Sequence, residues 1–428
     1  MIGVEKMRVI AVVGSGIAGD EAALAARKTD PKARVVMITR DPYPLYSACV
    51  LANYVSGEIP RERVFLRTPD DYTRDGIEIL MSRQVVDWHP DRHVLCLDDE
   101  GELSYDRLII ATGSRPFIPP LPGVEKEGVV TLKTLRDADI MRDVQGKSAV
   151  VVGSGPIGIE TAVALHRRGW SVSLVELLDR ILPRLFDIPL ASSLQERLES
   201  RGIQVFLREK VLEILGEERV SGVRTDQRTI PADLVILVIG MRPDLELAKK
   251  GELVLGVSGG IQVDEHMRTN RTDVWACGDC VESQDMVTGR KGLFMLWNNA
   301  RIQGRVAGAN AAGDTKRYPG SLNLTSVSFF GEACASVGLL SSDLSPTEAQ
   351  VIHRKGLRRE FWLVLQDNRI VGAQALGHTE RVGGLVGLIL RGEDLRKTII
   401  KGSTRSERRR IWPLRGLRRD LLRLSNFQ

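Results

Sequence analysis

The chain carries the same order of apolar and polar signals twice. In VIAVVGSGIAGDEAALAA (Val9 to Ala26), β-branched apolar residues run into a glycine-rich turn and alanine-rich sequence of helical spacing follows; SAVVVGSGPIGIETAVAL (Ser148 to Leu165) repeats that order. Each stretch predicts a strand, a tight turn and a helix. Each is followed by a second apolar strand, ARVVMITR (Ala33 to Arg40) and SVSLVEL (Ser171 to Leu177), as a parallel strand–helix–strand unit requires. The class expected from this duplication is α/β.

Between the copies, YDRLIIATGSRPFIPPLPG (Tyr105 to Gly123) is an apolar strand entering a Pro/Gly-rich segment, which reads as a linker between domains. PADLVILVIGMRPD (Pro231 to Asp244) repeats that theme after the second copy, and a helix is expected over Leu296 to Gly313. Beyond Tyr318 the character changes. FWLVLQDNRIVGAQALG (Phe361 to Gly377) alternates as an antiparallel hairpin turning at Asp367 and Asn368, and helical, then strongly basic sequence follows. These shifts divide the chain into a discontinuous first domain (1–116 and 246–320), an inserted second domain (117–245) and a smaller C-terminal α+β interface domain (321–428) ending in a basic tail.

Composition narrows the class. A chain of 428 residues exceeds one compact core, and 43% hydrophobic with 27% charged residues is ordinary for a globular protein. No apolar run approaches the roughly 18 to 20 residues of a membrane helix, so no membrane span is expected. The opening MIGVEKMRVIAVVGSG lacks the longer apolar stretch and cleavage site of a secretory signal, so a cytoplasmic location is expected. Five scattered cysteines do not make a disulfide framework. The net charge of +5 is concentrated between Arg396 and Arg423.

The glycine spacing carries chemistry. In Gly14-x-Gly16-x-x-Gly19 and Gly153-x-Gly155-x-x-Gly158, the glycines permit a tight turn, close backbone approach to a diphosphate and close helix packing. The helix N-terminus then offers unbonded N–H groups to the anion. Two such units predict two Rossmann-like dinucleotide-binding domains. The copies differ at the end of their second strands. Glu176 stands about 20 residues past its glycines, where a carboxylate accepts hydrogen bonds from both ribose hydroxyls and repels a 2′-phosphate. No arginine follows at Leu177 or Leu178, which favours NADH over NADPH. In the first copy the equivalent position is near Thr39, with Asp41 two residues on.

The order of motifs resembles the FAD-dependent pyridine nucleotide-disulfide oxidoreductase family over nearly the whole chain: GSGIAG, ATGSRP (Ala111 to Pro116), GSGPIG, VIGMRPD and TDVWACGD. The resemblance implies FAD on the first glycine motif and NADH on the second. It places Ala111, Thr112, Gly113 and Gly240 at the two crossovers and Gly278 and Asp279 at the closing of the flavin site. It also implies that Asp279 bonds the flavin ribitol, that the next helix points its N-terminus at the flavin pyrimidine, and that Glu160 faces the nicotinamide side. A helix N-terminus there suits the negative charge that reduced flavin gathers. Glu160 reads equally as an ordinary helix-surface glutamate.

Cys49 lies in DPYPLYSACVLANYVSG (Asp41 to Gly57), where a helix is expected to begin. A helix N-terminus lowers a thiol's pKa, and a thiolate against flavin attacks disulfides. The segment resembles the single-cysteine stretch of NADH oxidases, coenzyme A-disulfide reductases and persulfide reductases, with Val50 in place of their usual glycine. PYPLY (Pro42 to Tyr46) resembles equally the ferredoxin, rubredoxin and nitrite reductase flavoproteins, which lack that cysteine. Cys277 and Cys280 bracket Gly278-Asp279 and read as packing, and His378 reads as structural. The catalytic candidates are therefore Cys49 and Glu160, and no metal site is indicated.

Two destinations for the electrons stay open. A protein acceptor with an iron–sulfur centre, or the other subunits of a larger complex, fits the basic tail (Lys401 to Gln428), which would steer an acidic partner. C-terminal segments also resemble flavoprotein subunits of nitrite reductases and phenylglyoxylate-type oxidoreductases. The alternative is NADH-dependent reduction of a disulfide, persulfide or coenzyme A-disulfide with Cys49 as the redox thiol. The C-terminal domain allows an oligomer, and no nucleic-acid partner is expected.

Overall fold

The computed structural model describes residues 7–356, 359–377 and 379–395. These divide into two compact units, one holding 7–50, 59–116 and 241–321, the other 51–58, 117–240 and the described residues from Leu322 onward. His378 and the basic tail lie outside the described residues.

The first unit is built on a parallel five-stranded sheet in the order Val274–Ala276, Arg107–Ile110, Val9–Val13, Arg34–Ile38, Ile77–Leu80. Its central strand is apolar throughout because both faces are covered. Ile10 and Val12 enter one buried cluster with Ala22, Ala26 and Ala307, whereas Ala11 and Val13 enter another with Trp88, Leu95 and Leu247. Each larger aliphatic side chain so buried contributes about 1.5–3 kcal/mol. Helix Ile17–Thr29 packs closely on helix Trp297–Ala311. A Cβ on Gly304 would lie 2.2 Å from the Ala18 carbonyl oxygen, and one on Gly308 2.0 Å from that of Ala22. Only glycine permits this approach.

The second unit repeats the arrangement with strands Gln204–Leu207, Ser171–Glu176, Ser148–Val152, Leu234–Leu237 and Val129–Val130, all parallel. Val150, Val152, Val175 and Val235 pack against Ile214, Val223 and Ile230 from the antiparallel sheet Val211–Gly216, Val220–Thr225, Thr229–Pro231. The C-terminal portion is a five-stranded antiparallel sheet followed by helix Glu380–Arg391. Its hairpin turns at Asp367 (φ 49) and Asn368 (φ 60), both left-handed, as a two-residue turn matching strand twist requires.

Two features go beyond the sequence pattern. The two Pro/Gly-rich segments do not merely link domains: Ser114–Pro116 pairs antiparallel with Met241–Pro243. Helix Leu51–Ser56, directly after the Cys49 turn, belongs to the second unit. There the Tyr54 hydroxyl donates to Asp139 at 2.7 Å, and Arg142 donates to the Tyr54 carbonyl at 2.8 Å. No helix among the described residues is long and apolar enough to cross a membrane.

Candidate functional site

The first cradle follows from backbone sterics. Gly14 ends its strand with φ 112, and a Cβ there would lie 2.1 Å from the Ala111 oxygen; one on Gly19 would lie 1.9 Å from the Gly14 oxygen. Around Gly16 a Cβ would meet nothing within 4 Å, so this glycine borders open space. Gly16 is also the N-cap of helix Ile17–Thr29, with no side-chain cap. First-turn N–H groups beside that open space fit a dinucleotide diphosphate.

Strand register gathers other candidates at this edge, because Val13 pairs with Ile110 and Ile110 with Ala276. Ala111, Thr112 and Gly113 leave one strand, and Gly278 and Asp279 follow the other. The Thr112 hydroxyl donates to the Asp244 carbonyl (2.8 Å), and the Gly113 carbonyl accepts from the Asp244 N–H (2.9 Å). Ser114 Oγ donates to Asp279 Oδ2 (2.7 Å), and Gln303 Oε1 accepts from the Gly278 N–H (2.8 Å). Ser114 and Gln303 were not singled out from the motifs, since each acts across a long sequence separation. Gly240 lies in the other unit, where its carbonyl accepts from the Phe117 N–H at 2.9 Å.

The second cradle is a close copy. Gly153 has φ 101, Gly155 borders open space as an uncapped N-cap, and a Cβ on Gly158 would lie 2.0 Å from the Gly153 oxygen. The amides of Gly14 and Gly153 donate to Ile38 and Val175 carbonyls, each at 2.8 Å. By this register Thr39 and Glu176 are matching strand-end residues. Ser15 Oγ donates to Thr39 Oγ1 at 2.8 Å. In the second copy both the N–H and Oγ of Ser154 donate to Glu176 Oε2, at 2.9 and 2.6 Å. The Leu178 N–H donates to Oε1 at 2.9 Å, as the Asp41 N–H does to Thr39 Oγ1 at 3.2 Å. The Asp41 carboxylate accepts from the Tyr46 hydroxyl (3.3 Å). The two anchoring serines were legible only in hindsight, as the shared second residue of GSG. Arg180, the next arginine after Glu176, donates to the Phe186 and Pro183 carbonyls, each at 3.1 Å, and to Asp179 at 3.0 Å.

The candidate catalytic groups have different surroundings. Cys49 is exposed in a 3₁₀ turn, Ala48–Val50, ahead of the six-residue helix Leu51–Ser56. The helix expected to activate this thiol is therefore short and contributes few aligned peptide dipoles. Cys277 and Cys280 are fully buried, as packing residues should be; burial pushes both thiols up, Cys280 to about 11. No cluster of potential metal ligands occurs among the described residues. Glu160 is half-buried on helix Pro156–Arg167, and burial pushes its carboxyl up to about 7, opposed by a hydrogen bond from the Ser328 N–H at 3.3 Å. A carboxyl titrating near neutrality can take up or release a proton under working conditions.

Comparison with known proteins places this geometry. Residues 8–304 match the family model for pyridine nucleotide-disulphide oxidoreductases. An NADH oxidase of Methanocaldococcus jannaschii is 36% identical over 396 residues, spanning 87% of this chain and 88% of its own. Subunit epsilon of the NADH-dependent phenylglyoxylate dehydrogenase of Aromatoleum evansii is 31% identical, spanning 90% of this chain and 92% of its own. Among solved structures, a NAD-dependent persulfide reductase from A. fulgidus is 28% identical, with a TM-score of 0.87 over 92% of this chain and 78% of that one.

Proposed function

Because the chain belongs to the pyridine nucleotide-disulphide oxidoreductase family and is an FAD-dependent NAD(P)H oxidoreductase, we propose that it takes electrons from NADH and passes them to a protein acceptor with an iron–sulfur centre, as the flavoprotein subunit of a larger oxidoreductase. FAD, when bound, supplies the redox centre, accepting hydride as an electron pair and releasing electrons onward. In this assignment 1–116 and 246–320 hold FAD, and 117–245 hold NADH. Gly14, Gly16 and Gly19 receive the FAD diphosphate, and Ser114 orients Asp279 for a flavin hydroxyl. Gly153, Gly155 and Gly158 receive the NADH diphosphate. Glu176, oriented by Ser154 and the Leu178 amide, accepts from the ribose hydroxyls and disfavours a 2′-phosphate. Glu160 exchanges a proton on the nicotinamide side.

The observation that carries the nucleotide assignment is the contrast between a neutral hydroxyl at Thr39 and an anchored carboxylate at Glu176, on matching backbones. Support for a protein acceptor comes from the similarity to a dehydrogenase subunit over nearly full length. A second reading, reduction of a persulfide or disulfide through Cys49, is favoured by that thiol's exposure.

Anaerobic stopped-flow with wild type and Cys49→Ser separates the two. NADH is expected to bleach bound FAD at the same rate in both, and an oxidised iron–sulfur protein is expected to restore the colour in both. Loss of turnover in Cys49→Ser with persulfide or disulfide acceptors, combined with no reaction of wild type with iron–sulfur proteins, would move the function to the second reading. No bleaching by NADH in wild type would remove both.

A further inference from the structure

The first turn of helix Ile17–Thr29 carries a buried charge that the cradle does not use. Asp20 is 3% exposed, directly beneath the glycine turn, with its own N–H bonded to the Gly16 carbonyl at 3.0 Å. Its Oδ1 makes no hydrogen bond and faces Arg67 Nε at 3.5 Å, itself without a hydrogen bond. Tyr72 favours the charged form of the same carboxylate, and the Arg67 guanidinium lies 4.5 Å from the centre of the Tyr72 ring and pairs with Asp75. Burial pushes the Asp20 carboxyl up, and Arg67 opposes that shift. A buried carboxylate beside an anion cradle is costly unless compensated.

Arg67 and Tyr72 also reach the segment bearing Cys49. The Tyr72 hydroxyl accepts from the Leu45 N–H at 3.3 Å, and the Leu45 carbonyl accepts from the N–H groups of Leu66 (2.9 Å) and Arg67 (3.3 Å). Ser47 N–H continues the pairing to the Val64 carbonyl at 2.9 Å, and Tyr46 bridges Phe65. Both backbone groups of Leu45, four residues before Cys49, are thereby tied to residues that converge on Asp20.

We propose that Asp20, Arg67 and Tyr72 are positioning residues that lock the segment 45–49 to the helix beneath the first cradle, with Arg67 cancelling the Asp20 charge so that the cradle still accepts a diphosphate. The FAD arm rests on the assignment of FAD to this turn; the backbone arm does not. Opposite signs distinguish charge compensation from a merely structural role. Arg67→Met is expected to weaken FAD binding to the apoprotein about tenfold, with Arg67→Lys recovering most of it, while Asp20→Asn tightens binding by about threefold. Tyr72→Phe removes one hydroxyl, and amide exchange in 43–50 is expected to rise by about tenfold with little change in 9–26.

Flavin fluorescence titration and peptide-resolved hydrogen exchange read both arms. Weakening of FAD binding by similar factors in Asp20→Asn and Arg67→Met, or unchanged exchange in 43–50 for Tyr72→Phe, would overturn the proposal. Wild-type apoprotein that takes up no FAD would instead refute the cofactor assignment, leaving the exchange measurement to decide the positioning role.

Discussion

The two glycine turns share a backbone and differ in side chains at two matching positions. At the strand end, Thr39 in the first corresponds to Glu176 in the second, each held by the serine of its own GSG. Two residues past the last glycine, Glu21 and Glu160 occupy the same helical position with opposite electrostatics. Burial alone would raise the Glu21 carboxyl, but hydrogen bonds from Arg305 (2.6 Å) and Arg301 (2.5 Å) bring it below its ordinary value. Glu160 receives only a backbone N–H from Ser328 among the described residues and rises to about 7. In the proposed assignment the glycines make the dinucleotide cradle, and the residues around them decide which nucleotide fits and whether a proton is available beside it.

The largest expected effect tests whether the two turns hold different cofactors. Gly19→Val and Gly158→Val each drive a side chain into a carbonyl oxygen that a Cβ would approach within 1.9 and 2.0 Å. Each should cost about 2–4 kcal/mol locally. Gly19→Val is expected to purify with little flavin, whereas Gly158→Val keeps its flavin but is not bleached by NADH; flavin absorbance per chain and bleaching rate read the two outcomes. If both variants lost flavin alike, the division between turns would fail.

Glu176→Ala comes next. Loss of a charge-assisted acceptor for the ribose hydroxyls is worth about 2 kcal/mol, or roughly thirtyfold in the Kd for NADH. The NADH to NADPH preference should narrow with it. Thr39→Val removes only a neutral hydroxyl, and FAD affinity is expected to fall by about threefold. Equal losses in these two titrations would erase the distinction between the strand ends.

A stability measurement sharpens the glutamate pair. The Glu160 carboxyl is raised from 4.5 to about 7, so the folded protein binds that proton more tightly than the unfolded chain. The associated stability is complete below the unfolded value, declines as pH rises and is lost above about 7. Glu160→Gln is therefore expected to match wild type near pH 4.5 and to exceed it by about 1–2 kcal/mol at about pH 8, after allowance for partial exposure. Glu21→Gln should instead destabilise the protein slightly at neutral pH, because its carboxylate is paired with two arginines. Thermal melting across pH measures both signs.

Much of this comparison was legible in the chain. β-Branched runs, GSG turns and alanine-rich helices are local signals, and the left-handed turn at Asp367 and Asn368 is equally local. Thr39 was recognisable as the counterpart of Glu176 by counting from the glycines, and strand register agrees. Cys49 was harder. The apolar pattern after it suggested a helix, but only six residues form one, and that helix packs in the other unit through Tyr54 and Arg142. No local signal marks Asp20, since Arg67 and Tyr72 lie about fifty residues away in sequence.

By itself, the sequence determined the two glycine turns, the position of Glu176 and the strand–turn–helix–strand order of each copy, because each depends on φ preferences and spacing within a few turns of chain. Only the tertiary structure decided which charges are compensated: the proton affinity of Glu160, the pairing of Glu21 with Arg301 and Arg305, and the burial of Asp20 against Arg67. Electrostatic energy inside a protein depends on distance and desolvation rather than on position along the chain.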